Sequence, residues 1–340
     1  MTGAQWAAAG AKKQDSYIER ALKYWRERGF PYYRLSAAEM VAEFAALSRV
    51  SAGDIIYGDE ITGSNVGLRL ANHFHPQMWS VRVSRYKTPM ECFEDDDTLR
   101  AALRRSYSVW PDRHGANASC LRRILKTFSN CSAVSNFRPV ASKAIIARYS
   151  QTGETVVDFS AGYGGRLVGS LSLVRHYIGI EPCTQQIRGL RQCVRTIQRL
   201  GISPGSADIL PGCAEDVLPQ LPPRTCRLVF SSPPYFDWER YSDQATQSCI
   251  RYANYSEWID GFLVPVVEES RRVLVRGGFL AVNFPHGDSR VPLLTDLKRI
   301  AVASGLKLCK EYRLRLSKLP YLHPRTRPRK WEALAVFRRD

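Results

Sequence analysis

One stretch of the sequence, residues 155–166 (TVVDFSAGYGGR), combines residue types suited to binding a nucleotide. An apolar run typical of a strand leads through glycines into a helix-like segment. Glycines at such a turn let the backbone approach a ligand closely in front of a helix N-terminus. A second apolar run ends at Glu181, where a ribose diol would meet a hydrogen-bond acceptor. These features predict a nucleotide site.

The spacing of the glycines separates two kinds of nucleotide site. The dinucleotide fingerprint requires a third glycine at position 167, which is Leu167 here, so NAD is disfavoured. The order strand, Asp-x-x-x-Gly-x-Gly from Asp158 to Gly164, second strand and acid resembles the S-adenosylmethionine-dependent methyltransferases. The alternative is an ordinary strand, turn and helix that binds no ligand.

A second stretch, residues 226–235 (CRLVFSSPPY), is an apolar strand that ends in Ser232, Pro233, Pro234 and Tyr235. Two consecutive prolines lack N–H donors and restrict the chain, so carbonyl groups at the strand end can face outward as acceptors. The Ser232 hydroxyl and the Pro233 carbonyl could then accept both hydrogens of a nucleobase amine, and Tyr235 could stack on the base. Positioning and electrostatics would dominate such catalysis.

This motif resembles that of the DNA amino-methyltransferases, whose pocket sequence is Asp/Asn/Ser-Pro-Pro-Tyr/Phe. The Ser-Pro-Pro-Tyr form is associated with cytosine N4, and the resemblance covers roughly residues 136–340. It implies catalytic roles for Ser232, Pro233, Pro234 and Tyr235, with S-adenosyl-L-methionine as cofactor. The cofactor-binding positions it implies are Phe137, Arg138, Asp158, Ser160, Ala161, Gly162, Gly164, Glu181, Pro182, Cys213 and Ala214.

The residues leave several functions open. The first is site-specific DNA cytosine-N4 methylation, with a restriction nuclease as an expected partner, and adenine N6 is the near alternative. An RNA guanine-N2 methyltransferase and a silent nucleic-acid-binding module remain further alternatives. A base inside a duplex cannot reach such a pocket, so the enzyme would flip its target or act on single strands.

Basic residues outnumber acidic ones by 49 to 32, a net charge of +17, which favours a polyanionic partner. Residues 100–148 alone carry 10 basic and 1 acidic side chains. The predicted nucleic-acid-binding residues are Arg104, Arg105, Arg122, Arg123, Arg325, Arg327 and Arg329. Basic residues interleaved with aromatic ones suit phosphate contacts and base stacking.

Alternating apolar runs and helix-like segments predict an α/β fold from residue 136 onward. Strands are expected at 155–159, 177–180, 227–230 and 279–284, with a closing hairpin at 306–315 and 332–338. The resemblance implies a Rossmann-like class I methyltransferase domain at 136–340, with a mostly parallel seven-stranded sheet. Residues 1–135 are expected to be a mostly helical extension that could recognise DNA, with helices at 16–28, 37–48 and 98–107 and a strand at 78–84.

The nine cysteines include no Cys-x-x-Cys pair, so we expect buried thiols in a reducing compartment rather than a disulfide framework. No metal site is expected, because the six histidines are scattered. The sequence contains neither a long apolar run nor a secretory signal pattern, which predicts a cytoplasmic protein without a membrane partner.

Overall fold

The chain folds into two compact units of unequal size. The computed structural model describes residues 2–109, 117–126, 131–285, 291–316 and 331–340. The first unit is built from described residues within 2–34 and 76–135. The second contains residues 35–75 and the described residues from 136 onward, and it holds the predicted nucleotide site.

The helices and strands are numbered along the chain. The helices are α1 (Gly3–Ala7), α2 (Ala11–Arg28), α3 (Ala37–Arg49), α4 (Leu68–His73), α5 (Pro89–Glu94), α6 (Asp96–Val109), α7 (Ala118–Ile124), α8 (Pro139–Tyr149), α9 (Gly165–Leu171), α10 (Thr184–Arg199), α11 (Ala214–Val217), α12 (Ser248–Arg251), α13 (Tyr255–Trp258), α14 (Val264–Val273) and α15 (Leu293–Ala303). The strands are β1 (Ile56–Tyr57), β2 (Glu60–Ile61), β3 (Arg82–Val83), β4 (Thr155–Asp158), β5 (His176–Glu181), β6 (Ser206–Pro211), β7 (Cys226–Ser231), β8 (Glu239–Arg240), β9 (Leu274–Pro285), β10 (Leu306–Arg315) and β11 (Trp331–Arg339).

The second unit is organised around a nine-stranded sheet of order β1-β2-β10-β11-β9-β7-β4-β5-β6. Strands β6, β5, β4, β7 and β9 are mutually parallel, and β11 lies antiparallel between β9 and β10. The seven long strands therefore have the order 3-2-1-4-5-7-6 of the Rossmann-like class I methyltransferase fold. The predicted fold class is confirmed, with the short strands β1 and β2 added at one edge.

The order of the strands reverses at β4, since β5 lies on one side of it and β7 on the other. In open parallel sheets, ligands bind beyond the carboxyl ends of the strands at such a reversal. Apolar side chains from helices cover both faces of the sheet and form two clusters, one including Leu167 and Leu190 and the other including Trp258 and Leu297. The sheet is thus rigid where the candidate site lies.

Residues 35–75 depart from the predicted division at residue 135. They pack in the second unit, where Phe44, Leu47 and Leu70 join the same apolar cluster as the helix α8. Lys143 on α8 donates to the carbonyl oxygens of Leu47, Ser48 and Val50, each at 2.8 Å. The extension is therefore not one continuous segment, because these apolar residues are buried against the sheet domain.

The first unit is mostly helical, as expected. Trp6 of α1 stacks on Tyr107 of α6 with 4.8 Å between ring centroids. The prediction of a strand at 78–84 is wrong for most of its length: residues Pro76–Ser80 form a 3-10 helix and only Arg82–Val83 are extended. Trp79 is fully buried there, so tertiary packing outweighs the local preference.

One strand at the edge of the sheet was not predicted from the sequence. Strand β6 (Ser206–Pro211) pairs in parallel with β5 at the end of the sheet, although its sequence SADILP is too polar to stand out.

Among the residues that the structure describes, no helix is both long enough and apolar enough to cross a membrane.

Candidate active site

The carboxylate of Asp158, at the end of β4, lies at the centre of the candidate site and is fully buried. One oxygen, Oδ2, accepts from Arg166 Nε at 2.6 Å and from the Tyr177 hydroxyl at 2.7 Å. The other, Oδ1, accepts from the Ser231 hydroxyl at 2.7 Å and from the Ser160 backbone N–H at 3.2 Å. Asp158 thus joins β4, β5, β7 and the start of α9.

These contacts define what Asp158 does in the fold. A buried carboxylate is tolerated only when it is paired and hydrogen-bonded, and Arg166 is its buried ionic partner. With four donors already bound, the side chain holds the loop and the strand ends in place. Asp158 was predicted to bind cofactor, and its contacts here are those of a positioning residue.

The glycine loop between β4 and α9 has the backbone conformation that its sequence suggested. Gly162 and Gly164 have φ values of +57° and +76°, which favour glycine, and Gly164 is the N-cap of α9. The Ala161 N–H donates to the Ile180 carbonyl at 2.9 Å, which fixes the loop to β5. The turn therefore lies at the carboxyl end of the parallel strands.

Glu181, at the end of β5, lies directly beside this loop. Its Oε2 accepts from the Gly162 N–H at 2.8 Å and its Oε1 from the Cys183 N–H at 3.0 Å. Burial raises the pKa of Glu181 to about 7. Each carboxylate oxygen keeps an unused lone pair, so this side chain can accept further hydrogen bonds from a ligand.

The segment before α8 crosses the start of α9. A Cβ atom at Gly165 would lie 1.8 Å from the Phe137 carbonyl oxygen, so glycine is required for this approach. Phe137 packs edge-on against Phe230 of β7, with 5.4 Å between centroids. Arg138 instead donates from Nη1 to the Arg315 carbonyl at 3.0 Å. The fold thus brings Phe137, but not the guanidinium of Arg138, towards the glycine loop.

Three further positions predicted to bind cofactor, Pro182, Cys213 and Ala214, lie just after the carboxyl ends of β5 and β6. Cys213 is the N-cap of α11, is buried, and donates from Sγ to the Thr246 carbonyl at 3.6 Å. Ala214 belongs to the apolar cluster beneath. Pro182 is half-buried, and its carbonyl accepts from the Thr246 hydroxyl at 3.5 Å.

The motif Ser232-Pro233-Pro234-Tyr235 follows directly after β7. Pro233 is buried, whereas Ser232, Pro234 and Tyr235 are half-buried. The Tyr235 ring packs at 5.9 Å from Phe284 of β9. The four catalytic candidates therefore lie at the carboxyl ends of the parallel strands, as the glycine loop does, and they follow the strand next to that of Asp158.

Two residues that sequence reasoning missed, Asn283 and Glu332, support this motif. The Asn283 Nδ2 group donates to the Tyr235 hydroxyl at 3.0 Å, to Ser232 Oγ at 3.4 Å and to Glu332 Oε2 at 2.8 Å. Burial raises the pKa of Glu332. Asn283 is on β9 and Glu332 on β11, and neither belongs to a recognisable local motif, so only the pairing of these strands could reveal them.

A further group of polar side chains lies in the same unit near the site. Glu239 accepts a hydrogen bond from the Tyr241 hydroxyl, and burial raises the pKa of Glu239 to about 7. The Tyr241 ring lies 6.2 Å from that of Tyr163 in the glycine loop. His75 contacts Tyr163 edge-on at 5.6 Å, and burial lowers its pKa to about 3, so the imidazole is neutral.

Two of the arginines predicted to bind nucleic acid are engaged by protein groups. Arg104 on α6 forms an ion pair with Asp15 on α2, at 2.6 Å. Arg122 on α7 stacks over the Tyr33 ring at 4.1 Å and donates to the Pro31 carbonyl at 2.7 Å. Both contacts lie within the first unit and stabilise it.

The remaining predicted positions differ in exposure. Arg105 on α6 is half-buried, whereas Arg123 on α7 is exposed. Arg325, Arg327 and Arg329 lie outside the described residues. A role for this set in binding nucleic acid stays a prediction.

The prediction that all cysteines are thiols is wrong for one pair. Cys92 and Cys131 form a disulfide with 6.5 Å between their Cα atoms, although 39 residues separate them. A bridge between Lys87 and Cys131 brings the two segments together, which spacing along the sequence cannot show.

Within the described ranges, no three His, Cys, Asp or Glu side chains are grouped to hold a metal ion.

No protein-family model and no curated protein matches the sequence. Similar solved structures include precorrin-6y C5,15-methyltransferase from Geobacter metallireducens, a SAM-dependent methyltransferase from Methanosarcina mazei and a methyltransferase from Pyrococcus furiosus. Their identities are 12%, 13% and 16%, with TM-scores of 0.41, 0.41 and 0.37. The matches cover 59%, 57% and 59% of this chain and 87%, 96% and 82% of theirs. These similarities are low, so the fold is assigned from the strand order.

Replacing Asp158 by Asn should destabilise the second unit strongly, because Arg166 would remain buried without its ionic partner. We expect a loss of about 3–5 kcal/mol in the free energy of unfolding, measured by urea denaturation. Tyr177→Phe removes one donor to the same carboxylate and should cost about 1 kcal/mol. Equal losses in the two variants would contradict the central role of the Asp158–Arg166 pair.

Proposed function

We propose that this protein is an S-adenosylmethionine-dependent methyltransferase that methylates the N4 amine of cytosine in DNA. The observation that carries the proposal is the position of Ser232-Pro233-Pro234-Tyr235 at the end of β7, beside the end of β4 and its glycine loop. An amine-holding motif and a nucleotide-type loop therefore share one edge of the sheet, at the reversal of strand order.

The residues at the glycine loop suit S-adenosylmethionine. Glu181 has acceptor capacity for the ribose hydroxyls, and at Gly162 the nearest atom to a Cβ position is the Ser160 carbonyl oxygen at 3.7 Å, which leaves room for a ligand. Phe137 can pack against the methionine part, and backbone groups beside Cys213 can bind the adenine. When bound, the cofactor supplies an electrophilic methyl group.

The chain's own residues hold and orient the target amine. Ser232 Oγ and the Pro233 carbonyl accept hydrogen bonds from its two N–H groups, which helps direct the nitrogen lone pair out of the conjugated ring system. The Tyr235 ring stacks on the base, and burial raises the pKa of its hydroxyl well above the ordinary value, so the ring stays neutral. Catalysis is then chiefly positioning and electrostatics, and one proton leaves the amine as or after the methyl group is transferred.

The choice of cytosine in DNA rests on the resemblance of Ser232-Pro233-Pro234-Tyr235 to the Ser-Pro-Pro-Tyr form of the DNA amino-methyltransferases. The net charge of +17 favours a nucleic acid as substrate. A flipped or single-stranded base would enter the pocket. The segment after Tyr235 includes Trp238, which is 44% exposed and available to contact the strand that carries the base.

The direct test is incubation of the protein with unmethylated DNA and labelled S-adenosylmethionine, followed by mass spectrometry of the nucleosides. We expect N4-methylcytosine, and Tyr235→Ala should lower its rate of formation by about tenfold to a hundredfold through lost stacking. Tyr57→Ala, at a tyrosine that is 61% exposed, is the matched control and should keep the rate.

Three outcomes would change the proposal. If the product is N6-methyladenine, the target base is adenine rather than cytosine, and the proposed mechanism stays the same. If only RNA is methylated, the substrate is RNA rather than DNA. Full activity of Tyr235→Ala, or no methylated nucleoside in either nucleic acid, would refute the proposed pocket.

Asn283 should affect the rate rather than cofactor binding, because it contacts Ser232 and Tyr235. We expect Asn283→Ala to lower kcat about tenfold or more while the Kd of S-adenosylhomocysteine stays within a few-fold. Asn283→Asp removes the donor without changing the size of the side chain and should be equally slow. An Asp variant with the normal kcat would show that the amide is not a positioning group.

Glu181 should make cofactor binding depend on pH. Burial raises the pKa of Glu181 to about 7. The side chain is therefore an ionised carboxylate above pH 7 and becomes a neutral carboxylic acid as the pH falls below 7. We expect calorimetry to show that S-adenosylhomocysteine binds more weakly at pH 6 than at pH 8. Glu181→Gln should bind about tenfold more weakly at pH 8 and lose the pH dependence. An unchanged pH profile in this variant would rule out the ribose role of Glu181.

A further inference from the structure

Helix α10 presents a row of arginines to solvent. Arg188, Arg191, Arg195 and Arg199 recur at intervals of three or four residues, which places them on one face of the helix, and all four are exposed. The opposite face is buried against the sheet through Ile187, Leu190, Val194 and Ile197. The row covers about 16 Å of helix length.

These arginines lack the acidic neighbours found on other surface helices. Helix α14 pairs Arg272 with Glu269, and α15 pairs Arg299 with Asp296. Helix α10 contains no acidic residue. Within the part of the chain that the structure describes, Arg188, Arg195 and Arg199 form no ion pair, and Arg191 donates only to the Ile209 carbonyl, at 3.0 Å.

The row works against the stability of the helix, since like charges at these intervals repel one another. The residue type is also uniform: all four cations are arginines, whose guanidinium groups bind phosphate oxygens in pairs. Gln192, Arg195, Thr196 and Arg199 line a surface depression at the carboxyl end of the row.

We propose that the exposed arginine face of α10 binds the phosphate backbone of the nucleic acid. Its length matches about five nucleotides of one strand. Helix α10 begins at Thr184, three residues after Glu181, so its amino end lies at the carboxyl ends of the strands, where the candidate site is, and Arg188 lies about one turn further along the helix. That the bound nucleic acid is the DNA substrate rests on the proposed function, whereas the binding itself does not.

The test is the affinity of the full-length protein for a fluorescent DNA duplex, measured by anisotropy at several salt concentrations without cofactor. We expect Arg188→Gln/Arg195→Gln/Arg199→Gln to weaken binding about tenfold or more at moderate salt. The slope of log Kd against log salt should fall by about two to three, one for each lost phosphate contact.

A matched control removes the same charge elsewhere in the second unit. Arg224, Arg276 and Arg338 are exposed near the amino ends of the parallel strands, at the end of the sheet opposite the candidate site. Arg224→Gln/Arg276→Gln/Arg338→Gln should keep most of the affinity and the salt slope. Equal weakening in both triple variants would mean that net charge alone acts, which overturns the proposal. Unchanged binding in the α10 variant would overturn it as well.

Two additional readouts separate this proposal from the methylation activity. S-adenosylhomocysteine should bind the α10 variant normally, which shows that the unit is folded. If the wild-type protein binds the duplex but methylates no nucleic acid, and the α10 variant no longer binds the duplex, the proposed function is refuted and the proposed binding surface is supported. Binding of anionic lipid vesicles, with no binding of the duplex, would refute the surface.

Discussion

The buried charge of Asp158 is the constraint on which the second unit depends. A carboxylate inside a parallel sheet is costly unless every lone pair is used, and Arg166, Tyr177, Ser231 and the Ser160 backbone use all of them. Because the donors come from β5, β7, α9 and the loop after β4, satisfying the carboxylate sets the relative positions of these elements. The glycine loop and the end of β7 are held by the same carboxylate, through the Ser160 N–H and the Ser231 hydroxyl.

The site built on this frame is largely acidic and neutral, in contrast to the chain as a whole. Glu181 is buried and Glu239 is half-buried, the pKa of each is raised to about 7, and the pKa of Glu332 is shifted in the same direction. Such a pocket suits an uncharged base with amine donors better than a bare phosphate. Asn283 joins Glu332 to Tyr235, so the position of the Tyr235 side chain depends on strands β9 and β11.

The positive charge that is free at the surface does not lie where basic residues are most frequent in the sequence. In the first unit, Arg104 is neutralised by Asp15, and Arg122 serves as a structural stacking partner. On α10, by contrast, no acid accompanies the exposed arginines. Attraction of a polyanion depends on unpaired charge at the surface, so α10 is a stronger candidate than the segment with the highest basic content.

The sequence by itself determined the alternation of strands and helices from residue 155 onward, the glycine turn, and the position of the Ser232–Tyr235 motif at a strand end. These are local features, set by apolar periodicity, glycine conformation and proline chemistry within a few residues. Only the tertiary structure decided the packing of residues 35–75 on the sheet domain, the Cys92–Cys131 disulfide and the supporting roles of Asn283 and Glu332. Each of these depends on contacts between residues far apart in the chain, for which one sequence carries no local signal.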